Sequence, residues 1–81
     1  DTTDQAIYYY NIACARSVQN KTADALNYLD KTIKFGYTNL EHMAEDSDLD
    51  NIRSLPGFKK IMENYFKKEE IEKYPKLYGN K

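Results

Sequence analysis

Eighty-one residues make one small domain, and a chain this short buries only about 60% of its unfolded surface. Lys+Arg at 12 against Asp+Glu at 13 leave a net charge of -1, which argues against a nucleic-acid or anionic-membrane module held by bulk charge. No run approaches the roughly 18–20 apolar residues of a membrane span. One Cys allows no internal disulfide, and no metal or cofactor motif is present. The sequence opens at Asp1 without a signal-peptide core, which reads as a mature chain or an excised piece.

The elements follow from sparse punctuation and helical spacing. Ile7, Tyr10 and Cys14, with Tyr9, Ile12 and Ala13 beside them, predict a first helix from about Thr3 to Val18. Gln19-Asn20-Lys21 breaks it, and Thr22 is a good N-cap for a second helix. Ala25, Leu26, Leu29 and Ile33 form its stripe, and Gly36 sits where a left-handed C-cap residue belongs. Residues 4–35 therefore read as two antiparallel helices joined by a tight turn. Asn39 opens a short third helix carrying Leu40, Met43 and Ala44. Asp48 is suited to cap a helical turn with Leu49, Ile52 and Leu55. Pro56 fits the first turn of a fourth helix. Phe58, Ile61, Met62, Tyr65 and Phe66 stripe that helix, which is expected to fade after Lys68. Pro75 and Gly79 close a tail in which Ile71, Tyr74, Leu77 and Tyr78 remain free to dock. No run alternates long enough for a strand. The expected fold is all-α, in antiparallel helix-turn-helix pairs, with about four helices and a short helical turn. A helical domain over 1–69 is followed by a partly docked tail over 70–81.

Charge is uneven: residues 1–58 carry a net of -4 and residues 59–81 a net of +3. The basic end is suited to docking internally, or it is a solvated face with pairs such as Glu63–Lys67 and Glu69–Lys73. Its lysines interleave with Tyr65, Phe66 and Tyr74, but Glu63, Glu69, Glu70 and Glu72 cancel much of the field, so no nucleic-acid partner is expected. No membrane partner is expected either.

The candidate chemistry is thin. Cys14 and His42 are the sole thiol and imidazole. They sit on different helices without an oxyanion hole, so no catalytic pair is expected. His42 is expected to face solvent. Asp46-Ser47-Asp48-Leu49-Asp50 invites a calcium loop, but that loop would need Gly at 51 and Glu at 57, where the chain has Asn51 and Gly57. Arg53 is placed to pair with one of these carboxylates. Tyr8-Tyr9-Tyr10 spans about 200° of a helix, so at least one ring should be core and at least one near the surface.

The first helix pair resembles a tetratricopeptide repeat. Tyr9, Ile12 and Ala13 on one helix, and Ala25 and Leu29 on the next, take the places of its aromatic, apolar and small positions. Small residues on facing helices let the backbones approach closely. Thr32, Arg16 and Tyr37 depart from that pattern. Residues Gly36 to Phe58 resemble the segment that closes such an array. The resemblance covers about residues 6–66. It implies a non-catalytic module that binds a peptide or helix on its first-helix face, through Ile7, Tyr10, Cys14, Ser17 and Thr38. Members that clamp a C-terminal carboxylate use Lys and Asn at positions matched here by Tyr10 and Cys14, so that clamp is not expected. The alternative is a structural C-terminal cap of a longer array, or an accessory domain of a larger enzyme. The implied partner is a protein or peptide, another domain of the same chain, or a second copy. A single reduced thiol fits the cytoplasm, though one thiol also survives outside it.

Overall fold

The computed structural model describes residues 2–79. Its regular elements are α1 (Thr2–Val18), α2 (Thr22–Lys34), α3 (Leu40–Glu45), α4 (Pro56–Tyr65) and α5 (Lys68–Glu72), with 3-10 turns at Ser47–Leu49 and Pro75–Tyr78. The fold is all-α, with no strand among the described residues.

The two long helices end the same way. At α1, Lys21 N–H donates to Arg16 O at 2.8 Å and Asn20 N–H to Ser17 O at 2.9 Å. At α2, Tyr37 N–H donates to Thr32 O at 3.1 Å and Gly36 N–H to Ile33 O at 2.9 Å. Both are Schellman closures, which need a residue at positive φ. Asn20 supplies 64° and Gly36 supplies 111°. The first closure leaves three residues between the helices and turns α2 back along α1. Ala13 and Ala25 are fully buried between them. Thr32 is buried too, and its hydroxyl donates to Tyr28 O at 2.7 Å, so a polar atom is tolerated there.

Three expected boundaries shift. Thr22 lies inside α2 rather than capping it: the turn places Lys21 at the N-cap, where its carbonyl accepts from Ala25 N–H at 2.9 Å. Asp46, not Asp48, caps the 3-10 turn, its Oδ1 accepting from Asp48 N–H at 3.0 Å. Finally, α4 stops at Tyr65, because Phe66 takes an extended backbone and packs its ring against the core. That break removes the Glu63–Lys67 helical pair. In α5 Lys68 meets Glu72 at 4.0 Å, and Glu70 Oε1 accepts from the backbone N–H of Lys67 at 2.9 Å. Asn39 caps α3 as expected, accepting from His42 N–H at 3.0 Å, and Pro56 opens α4.

One cluster forms the core. It runs from Tyr10 and Leu29 through Met43, Leu49, Ile52, Phe58 and Met62 to Ile71 and Leu77. Leu77 is fully buried, and Lys76 Nζ reaches Glu45 at 3.6 Å. A boundary at 69/70 would fall inside α5, and Ile71, Tyr74, Leu77 and Tyr78 pack into the same core while Glu72, Lys73, Pro75 and Lys76 stay exposed; Asp1, Asn80 and Lys81 lie outside the described residues. Arg53 ties this end down. It is only 5% exposed. Its Nη1 donates to Leu77 O at 2.9 Å, its Nη2 to Met43 O at 3.1 Å and to Asp46 O, and its Nε to Asp50 at 2.8 Å. The guanidinium thus satisfies carbonyls at the end of α3 and in the C-terminal turn together.

Candidate functional site

A groove of about 480 Å³ runs along α1 where α3 and the Ser47–Leu49 turn lean on it. Its lining is Tyr10, Asn11, Cys14, Ala15, Val18 and Gln19 from α1, with His42, Asp46 and Asp48 opposite. The α1 residues recur at helical spacing, so a single helix supplies one whole wall.

The edge of the groove is a polar network built on Asp46. Tyr10 donates its hydroxyl to Asp46 Oδ2 at 2.6 Å, and Cys14 Sγ donates to the same oxygen at 3.6 Å. His42 Nε2 lies 3.5 Å from it. Tyr10 also stacks on Tyr37 with ring centroids 4.7 Å apart. Burial alone would raise the Asp46 carboxyl, but the hydrogen bonds from Tyr10, from Asp48 N–H and from Cys14, with His42 nearby, outweigh it and hold the group below its usual range. Burial pushes the Tyr10 phenol well above its usual value, and the hydrogen bond it donates to Asp46 adds to that. The Cys14 thiol is pushed up to about 12, first by burial and then by Asp46. It therefore stays protonated near neutral pH and is a poor nucleophile. Cys14, Asp46 and Asp48 bring their ligand atoms within 4.8 Å of one another. Cys14 is a hydrogen-bond donor there and Asp46 is already taken by several donors, which suits a structural network better than a cation.

The five residues read from the sequence divide. Tyr10 is 6% exposed, and Cys14 and Ser17 are buried; Ile7 and Thr38 are exposed. Tyr10 and Cys14 still edge the groove, while Ile7, Ser17 and Thr38 do not line it. The open floor is Asn11, Ala15 and Val18, about a quarter turn around α1 from the stripe through Tyr10 and Cys14. These three are not among the residues the sequence singles out, though their spacing of four and three is a helical signal. The tyrosine string splits as its geometry requires: Tyr10 is core, Tyr8 is 63% exposed, and Tyr9 stacks on Phe35 at 5.5 Å and on Tyr28 at 6.0 Å. His42 faces solvent along one edge. Arg53 pairs with Asp50, yet its burial and its carbonyl partners were not legible. A second concavity of about 370 Å³ lies between α4, α5 and the last turn, floored by Phe66, Ile71 and Tyr78.

Fold and groove define a small all-α protein with one long helix open along a face. No protein-family model matches the chain, and no solved structure matches it. Among curated proteins it is similar to a chloroplastic protein of Arabidopsis thaliana, at 26% identity over 80 residues, covering 94% of this chain and 24% of that protein. The chain thus spans about a quarter of the length of the curated relative it matches.

Proposed function

We propose that this chain is a tetratricopeptide-like, non-catalytic interaction module, and that its α1–α3 groove holds a segment of a partner protein. The observation that carries this reading is a floor of Asn11, Ala15 and Val18 left open beside a wall fixed by the Tyr10–Asp46 bond. A groove on rigid helices costs little ordering when a segment enters. The helix pair closing on Ala13 and Ala25 supports the repeat-like part.

Tyr10→Ala is a poor test, because a buried ring is lost and the fold would suffer with it. Val18→Glu is better, since Val18 is 60% exposed. A peptide selected from a random library on the whole chain should shift amide resonances of Asn11, Ala15, Val18 and Gln19. Val18→Glu should weaken it tenfold or more while the melting temperature holds. Shifts confined to other surfaces would overturn the reading.

A second reading has its own observation. Ile7, Tyr8 and Val18 are all exposed on α1, and the chain matches only a quarter of its relative. Under this reading the chain is the end of a longer array, and α1 is covered by a preceding helix pair. An isolated chain that remains monomeric at high concentration in sedimentation would count against it.

A further inference from the structure

We infer that the groove takes an extended, apolar peptide segment carrying a Lys or Arg, with Asp48 as the acceptor of its charge; this rests on the groove being a binding surface at all. The groove is lined by two carboxylates and a histidine, and by no Lys or Arg. Asp46 is committed to Tyr10, Cys14 and the backbone of Asp48. Asp48 is exposed, and its carboxylate has no ion-pair or hydrogen-bond partner among the described residues. It is the free negative group of the site. The surroundings lean the same way, since residues 1–58 carry a net of -4. A cation arriving there meets the open Asp48 carboxylate with the Asp46 charge behind it, while its methylene stem can lie along Val18 and Ala15, which are both exposed.

Asn11 argues for an extended segment rather than a helix. It is exposed on the groove floor, and its side-chain amide has no hydrogen bond among the described residues. An amide offers one acceptor and a donor pair side by side, which matches the free N–H and C=O of an extended chain. A helix has already spent those groups on itself.

The test uses the whole chain and two labelled probes, acetyl-Leu-Pro-Lys-Pro-Leu-amide and the same peptide with norleucine for lysine; the prolines keep both extended. The lysine peptide should bind about three- to tenfold more tightly at low salt. Raising the salt should erase most of that preference. Asp48→Asn should erase it too, with the melting temperature unchanged. Equal binding of both peptides, with shifts on Asn11 and Val18, would overturn the cation inference and leave the groove standing. A preference that survives Asp48→Asn would overturn the assignment to Asp48. If neither peptide shifts any groove resonance at millimolar concentration, while peptides selected from a library do, this peptide chemistry is wrong. If no peptide of any kind does, the groove itself is wrong.

Discussion

Asp46 concentrates the electrostatics of the groove edge in one side chain. Its Oδ2 is shared by a phenol and a thiol that are both held in their neutral forms. The pH dependence follows with opposite signs on the two sides. Asp46 has its carboxyl lowered from 3.8, so its contribution is present above that value and is lost as the pH falls through the folded one. Cys14 is raised from 9.0 to about 12, so its contribution is complete below 9.0 and disappears as the pH rises toward 12; Tyr10 acts in the same direction. The melting temperature followed by circular dichroism should therefore be flat across neutral pH and fall at both ends. Tyr10→Phe should cost about 1–2 kcal/mol at neutral pH and make the acid fall shallower. An unchanged acid limb would mean that the phenol does not hold the carboxylate.

At the level of elements, much was legible beforehand. The extents of α1 and α2, the stripe of α2 and the turn residues at the helix ends are local signals, and local signals survive in a sequence; the α1 stripe was only partly so, since Ile7 is exposed while Ala6 and Ser17 are buried. What could not be read depends on carbonyls distant in the chain. Arg53 in a polar linker looks the same whether it is solvated or buried. Only the fold brings the carbonyls of Met43, Asp46 and Leu77 to it. The groove lining differs from the residues read on α1 for a related reason. Tyr10 and Cys14 are drawn inward by α3 and Asp46, which leaves the neighbouring stripe open. Gly36 gives the element scale its prediction. A Cβ there would meet nothing within 4 Å, yet φ is +111°, so the cost is purely conformational. Gly36→Ala should destabilise by about 1 kcal/mol in urea titration, and a neutral result would mean that the closure of α2 can adopt another backbone.

The whole molecule has a Cα radius of gyration of 11.4 Å, close to the roughly 11.7 Å expected of a folded domain of this length. Much of that compactness depends on the last turn. Leu77 fills the core, its carbonyl holds Arg53, and Lys76 pairs with Glu45 on α3. Leu77→Ala should cost about 2–4 kcal/mol, a large share of the roughly 4–12 kcal/mol available to a domain of this size. A loss below about 0.5 kcal/mol in denaturant titration would mean that the tail merely rests on the surface.

The covered thiol at the groove edge has a practical consequence. Cys14 is the protein's single thiol, protonated and nearly shut off from solvent. A disulfide reagent can reach it as thiolate only when α1 parts from Asp46 or the chain opens altogether. The speed of that chemistry is then a built-in gauge of how often this wall of the groove gives way. Any occupant that holds α1 against α3 would register as a slower colour change, with no label added.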